Sequence, residues 1–294
     1  MLEEWDITAT NLNRARRRRY EVAVLSVGAI EAHGLHLPFG QDFLEVDHIA
    51  RRACAAAWER RQSVLYLPPL PYGVDANLMA FPYTVHVNTR VLEDMLREMI
   101  GSLARHGLRK FVLINGHGGN DFGPMIRQVQ YDLGVHVFNV NWWQVGLDQY
   151  RRFFSIADDH AGEMETSVAL ATHPELVEME NAADGRTRPF ALEALARGWA
   201  TTSRDFGKFT AYCNSANPMQ ASAEKGRQYL ELTIRRIADF LVELAKAPID
   251  KHFPFAARWE KTAHGRITKK SPQPVRVPSG RHRERRGKTK KSGR

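Results

Sequence analysis

Val22-Ala23-Val24-Leu25-Ser26-Val27-Gly28 runs into Glu31-Ala32-His33-Gly34-Leu35-His36-Leu37-Pro38, with Asp42 close behind. The first run is apolar and rich in β-branched residues, the pattern of a parallel strand buried on both faces. Open α/β sheets bind their ligands beyond the C-terminal ends of such strands, which is where the second run begins. Glu31 and His33 are two apart, so on an extended backbone they point to the same side. A strand end can thereby offer two ligands to one metal ion. Gly34 and Pro38 predict a sharp loop that brings Asp42 back toward them.

Outward from this stretch, strands are expected at 21–29, 64–68, 110–115 and 135–140. Helical spacing of apolar residues predicts helices over 47–61, 88–106, 122–133, 163–171 and 220–245. On the second of these, Val91, Leu92, Met95, Met99 and Leu103 are expected to face inward. Residues 74–87 form a loop rich in Pro and aromatics. Strands alternating with helices predict an α/β fold with a mostly parallel sheet covered on both faces. No internal repeat is visible.

Composition narrows the setting. No apolar run reaches the roughly 18–20 residues of a membrane span. The start, Met-Leu-Glu-Glu-Trp-Asp, lacks the apolar core of a secretory signal. Cys54 and Cys213 cannot build a disulfide framework and read as small buried hydrophobes, so the cytoplasm is the expected compartment. The net charge of +9 is unevenly placed. Residues 261–294 hold thirteen Lys/Arg and one Glu, which leaves residues 1–260 slightly acidic. The expected division is a catalytic domain over 1–260 and a basic tail over 261–294, too poor in large apolar residues to fold. A second basic cluster, Arg14 to Arg19, precedes the first strand. Lys/Arg runs bind phosphates without sequence specificity, and weak, non-specific nucleic-acid binding is the rival reading of the tail. The tail lacks the interleaved aromatics of single-strand readers, and a solubility-tuning role is the expectation.

Three loops carry the unusual polar chemistry. The first holds Glu31, His33, His36 and Asp42. The second is Asn115-Gly116-His117-Gly118-Gly119-Asn120. The third is Asp158-Asp159-His160-Ala161-Gly162-Glu163-Met164-Glu165-Thr166-Ser167. The first two follow apolar strands and should open on one edge of the sheet. Each has a bland reading: a satisfied histidine, a glycine turn or anion nest, or carboxylates capping a helix N-terminus. Their joint occurrence favours metal chemistry. Imidazole and carboxylate ligands suit zinc, manganese, iron or nickel. Two such sets suggest paired ions about 3.5–4 Å apart.

The pattern Glu31-x-His33-Gly-x-His36-Leu-Pro-x-x-x-Asp42, with Asn115-Gly-His117-Gly-Gly-Asn120 and His160-Ala-Gly-Glu163-x-Glu165-Thr-Ser, resembles the creatininase (creatinine amidohydrolase) family. Ala221-Ser-Ala-Glu-Lys-Gly-Arg227 resembles its C-terminal segment, and the resemblance spans about residues 20–245. It implies a three-layer α/β/α sandwich, a homohexamer and two divalent ions per chain (Zn, Mn or Fe). Glu31 and His117 would bind one ion, His33 the other, and Asp42 would bridge them. Creatininase proper takes its fifth ligand from a Glu at the position of Gly119; here Glu163 is expected to replace it. That departure puts creatinine itself in doubt as substrate. The family also includes formamide hydrolases and a peptidase that trims the mycofactocin precursor.

The expected reaction is hydrolysis of a non-peptide amide, cyclic amide or formamide, by a metal-bridging hydroxide. His160 is expected to shuttle the proton to the leaving nitrogen. His36 would polarise the carbonyl or support the site, and Glu165 would act behind the ligands. Trp142 and Trp143 are expected either to line the substrate pocket or to pack as ordinary aromatics. The rival readings are the peptidase and a non-catalytic protein whose basic tail binds nucleic acid.

Overall fold

The structure, a computed structural model, describes residues 3–156 and 160–258. In chain order the elements are α1 (Leu12–Ala15), β1 (Val22–Val27), α2 (Gln41–Arg60), β2 (Val64–Tyr66), α3 (Thr89–Ala104), β3 (Lys110–Asn115), α4 (Gly123–Leu133), β4 (His136–Asn141), α5 (Glu163–Thr172), α6 (Glu193–Ala196), α7 (Phe206–Phe209) and α8 (Ala223–Lys246). The four strands form one sheet of order β2-β1-β3-β4, parallel throughout. The register aligns Val22 with Val64 and Lys110, and Lys110 with His136. All six residues of β1 and of β3 are buried, which is why both read as unbroken apolar runs rather than alternating ones.

Two helical layers cover the sheet. Ala23, Leu25, Val27, Phe111, Leu113 and Val137 pack against Leu92, Leu96 and Ile100 of α3 and Met125 and Val129 of α4. The alternate residues Val22, Val24, Val112 and Ile114 are equally buried and face the other way, toward α2 and α8. There α2 and α5 both pack on α8. The result is a three-layer α/β/α sandwich. Lys110, buried at the start of β3, donates through Nζ to the carbonyls of Leu244 (2.8 Å) and Ala247 (2.5 Å). This ties the C-terminal end of α8, where carbonyls lack helical partners, to the sheet.

Two readings need correction. Helix α2 begins at Gln41, not Asp47, so Asp42 sits in a first helical turn rather than a loop. That turn buries Gln41, Asp42 and Glu45, and buried polar residues leave no apolar periodicity to detect. On α3 the buried stripe is Leu92, Leu96 and Ile100, while Val91 and Met95 are 60% and 49% exposed. Met99 and Leu103 pack partly against the core.

After β2 the chain keeps pairing with β1. Leu70 N donates to Ser26 O and Gly28 N to Leu70 O, both at 2.9 Å, and Gly73 bridges to His86. These contacts lay residues 73–78 along the C-terminal edge of the sheet. The chain divides into units of residues 1–248 and 249–294. In the second, residues 249–258 are turns with a cis Phe253–Pro254 bond. The expected boundary at 260 and the basic tail lie outside the described residues.

Candidate metal centre

Three elements deliver the site. Past the end of β1 come Glu31 and His33; past β3 comes His117; the first turn of α2 carries Asp42. Gly116 makes their meeting possible, because a Cβ there would stand 2.8 Å from both Asp42 O and Val46 Cβ. The His117 loop is fixed by asparagines. Asn115 Oδ1 accepts from His117 N and from Asn120 Nδ2, each at 3.1 Å, and Asn115 Nδ2 donates to Asn120 O at 3.2 Å.

Asp42 stands at the centre. Its Oδ1 lies 3.0 Å from His33 Nε2 and its Oδ2 lies 3.0 Å from His117 Nδ1. Glu31 Oε1 lies 3.2 Å from His117 Nδ1, 3.6 Å from His160 Nδ1 and 3.8 Å from His33 Nε2. Three overlapping groups could each hold an ion: Glu31/Asp42/His117, His33/Asp42/Glu165 and Glu31/His33/His160. Donors bound to one tetrahedral ion at 2.0–2.2 Å stand about 3.4 Å apart, so these spacings fit. Glu31 Oε2 is buried without a hydrogen-bond partner among the described residues, a further acceptor suited to a cation. His33 donates through Nδ1 to the Glu31 carbonyl at 3.1 Å, which leaves Nε2 as its donor atom.

The charges are mutually supporting. Burial alone would lower the pKa of His33, yet the charge and hydrogen bond of Asp42 push it up to about 10. His117 is likewise raised against its burial, by Glu31 and Asp42. Asp42 and Glu31, which burial would raise, are held below the usual carboxylate range by these imidazoles. His160 goes the other way: burial, then the charge of His33, pull it down to about 4. Its Nε2 donates to Ala32 O at 2.8 Å, and its ring stacks on His33 with centroids 4.2 Å apart. The next residue, Ala161, has φ 50°, an unusual conformation for alanine. It aims Ala161 N at Glu165 Oε2, 2.5 Å away.

The two glutamates at the start of α5 part company. Glu165 joins His33 and Asp42. The Glu163 carboxylate accepts instead from Lys225 Nζ (2.6 Å), Ser155 N and Oγ (2.9 Å each) and Ile156 N (3.2 Å), and belongs to none of the three groups. Its pKa is lowered despite burial, by Lys225 and Ser155. His36 also stands apart: its Nε2 pairs with Thr166 Oγ1 at 2.9 Å, bracing α5. Burial and the charge of His33 lower its pKa to about 4. Asp158 and Asp159 lie outside the described residues.

A cavity of about 300 Å³ opens onto Glu31, Asp42, His117, His160 and Glu165. Trp143, Leu78, Met164 and Phe206 supply apolar walls; Asn77 and Arg204 add polar ones. Trp142 is core, buried with its Nε1 donating to Glu45 at 2.9 Å. The sequence reading missed two buried carboxylates here. Glu45 is raised well above its ordinary pKa by burial and by Glu165 and Asp42. Asp75 is raised to about 9 by burial and by contact with Glu31. Its only signal was an acid in a loop of Pro and aromatics.

The family model of creatininase (creatinine amidohydrolase) matches residues 5–241. A creatinine amidohydrolase of Pseudomonas putida is 29% identical over 243 residues, covering 76% of this chain and 89% of its own. A mycofactocin precursor peptide peptidase of Mycobacterium ulcerans is 28% identical over 211 residues, covering 70% of this chain and 78% of its own. Among solved structures, a Bacteroides fragilis protein superposes with TM-score 0.78 at 33% identity, over 85% of this chain and 100% of its own. A manganese form of creatininase gives TM-score 0.69 at 25% identity, over 83% and 99%.

Proposed function

The chain belongs to the creatininase family of metal-dependent amidohydrolases, and from that premise we propose that it hydrolyses a small non-peptide amide, cyclic amide or formamide, at a centre of two divalent ions. The ligands are Glu31, His33, Asp42, His117 and Glu165, with zinc, manganese or iron as the ions. The observation that carries this reading is Asp42, whose two oxygens each stand 3.0 Å from a different imidazole. A carboxylate so placed is suited to bridge. Glu165 takes the part expected of Glu163, because Lys225 and Ser155 already hold the Glu163 carboxylate.

Bound at this centre, two divalent ions supply a water acidified to near neutral pH and a Lewis acid for the amide carbonyl. The chain does the rest. Trp143, Leu78 and Phe206 exclude water from the amide. His160, anchored through Nε2 to Ala32 O, keeps Nδ1 open to the cavity side of Glu31. A neutral ring in that position accepts a proton at Nδ1 and returns it to the leaving nitrogen. His36 braces α5 and takes no part in the proton transfer.

Cavity size favours a small molecule over the peptidase reading. About 300 Å³ is the lower end of small-molecule sites, enough for one ring or a formamide. The test is hydrolysis by the metal-loaded chain of cyclic amides, formamides and short peptides, read by mass spectrometry. Cleavage of peptides alone would refute the proposal. The same proposal includes a homohexamer, checked by light scattering, and a cytoplasmic setting, which the two free buried thiols support. No helix among the described residues is long and apolar enough to cross a membrane.

A further inference from the structure

We infer that Asp75 is a positioning residue for His117, the carboxylate that fixes its ring and makes one of the two metal positions the tighter one. The inference rests on the reading of His117 as a metal ligand.

Asp75 is fully buried, and neither side-chain oxygen has a hydrogen-bond partner among the described residues. Buried polar groups are nearly always satisfied, and an orphaned carboxylate is among the costliest exceptions. The loop does not need this side chain for its own structure. Asp75 N donates to His86 Nδ1 at 3.1 Å, and Leu78 N donates to Asp75 O at 2.9 Å. Val74 N donates to Asn120 Oδ1 at 3.0 Å, and Val87 N to Gly73 O at 2.9 Å. All of these use the backbone of residues 73–75, and asparagine at position 75 would preserve every one.

What the side chain does touch is the Glu31 carboxyl and the far side of the candidate ligand. Asp75 Oδ1 lies 3.1 Å from His117 Nε2. The same nitrogen lies 3.2 Å from Val74 O, toward which its N–H points. On its other side, His117 offers Nδ1 to Asp42 and Glu31. When Nδ1 is the ligand atom, the remaining ring proton must sit on Nε2. A carbonyl to receive that proton and a carboxyl oxygen beside it hold the tautomer and strengthen Nδ1 as a donor. The arrangement is closely packed. A Cβ on Gly119 would stand 2.3 Å from His117 Nε2 and 2.4 Å from Val74 O, so no side chain at 119 can come between.

The other imidazole is supported differently. His33 Nδ1 meets only the neutral Glu31 carbonyl, at 3.1 Å. The two metal positions thus differ in the groups behind their histidine, a lone carbonyl for His33 and a carbonyl with a carboxyl for His117, and loss of Asp75 should be felt at one of them.

The experiment is chelator competition on the zinc-loaded full chain, with melting of the metal-free chain alongside. Asp75→Asn should lose about 10–100-fold in affinity for one zinc equivalent and hold the other at wild-type affinity. Its metal-free melting temperature should equal or exceed that of the wild type, since the hydrogen bonds that hold this loop all run through its backbone. Wild-type affinity at both equivalents would overturn the inference. So would a lowered metal-free melting temperature, or failure to fold, because then the side chain serves the fold. His117→Ala, measured in parallel, separates the premises. If it loses one equivalent while Asp75→Asn loses none, only the inference about Asp75 falls. If it keeps both, the ligand reading falls and takes the inference with it.

Discussion

Glu163 and Glu165 are two residues apart on one helix, and exchanging either for glutamine should produce opposite phenotypes. Glu163 is fully buried and accepts from four donors, one of them the Lys225 ammonium at 2.6 Å. Glutamine keeps the shape but loses the charge, and its NH₂ must face at least one donor. Hydrogen bonds to a charged group contribute about 1.5–3 kcal/mol against about 0.5–1.5 for neutral ones. Lys225 is 32% exposed, so its ammonium can turn to water, which discounts the ion pair. A net loss of about 2–3 kcal/mol follows, or roughly 5–10 °C in melting temperature for a domain of this size. Both metals should stay. Glu165→Gln removes an anionic donor from the His33/Asp42 set and leaves the Lys225 contact alone. It should lose most of one metal equivalent with little change in the melting of the metal-free chain. Elemental analysis after dialysis and scanning fluorimetry with and without chelator read both quantities. If Glu163→Gln lost metal while Glu165→Gln kept two equivalents, the division of labour argued here would be wrong.

Acidity offers another test. The pKa of His33 is raised to about 10, above its unfolded value near 6.5, so its protonated form stabilises the metal-free chain fully below pH 6.5. That contribution is lost as pH rises toward 10, and a metal-free melting temperature flat between pH 6.5 and 10 would contradict it. Because a metal must displace this proton, affinity should rise over the same window, with protons released on binding; calorimetry in two buffers of different ionisation enthalpy measures that release. Gly119→Ala would place a Cβ 2.3 Å from His117 Nε2, and should cost about 1–3 kcal/mol along with part of the metal; unchanged melting and metal content would count against the packing described. A chain ending at residue 260 should keep fold, metals and hydrolysis while losing any salt-sensitive binding to DNA or RNA. Loss of hydrolysis with metals retained would place the tail in the active site.

The sheet was legible because burial on both faces leaves its mark directly: β1 and β3 have no solvent-facing residue to interrupt the apolar run. Chemistry placed at the ends of two adjacent parallel strands must open on one edge, which is how Glu31, His33 and His117 meet. The start of α2 was hidden for the complementary reason. Its first turn serves the site, so it buries Gln41, Asp42 and Glu45 and carries no helical stripe. The sorting of Glu163 from Glu165 was equally hidden. Residues two apart on a helix point about 200° away from each other, but only tertiary packing says which one faces the site. Here Lys225, on α8, decides it. Asp75 arrives through the pairing of residues 70–73 with β1 and His86, contacts that no local spacing announces.

Five acids in and around the site share a physical trait: Glu31, Asp42, Glu45, Asp75 and Glu163 are buried carboxyls whose cost the fold meets by different means. Glu163 has a lysine. Glu45 has Gln41 and Trp142 as donors and is shifted toward its neutral form. Glu31 and Asp42 have imidazoles, which metal ions would replace as the balancing charge. Asp75 has the Glu31 carboxyl and the far nitrogen of one of those imidazoles, and is shifted toward its neutral form. Removing Asp75 should therefore weaken the hold on metal without harming the metal-free fold, removing Asp42 should cost both because His33 and His117 lose their partner, and removing Glu163 should cost stability alone. Stability and metal affinity measured together on the same variants distinguish the carboxylates that hold the chain from those that hold the ions.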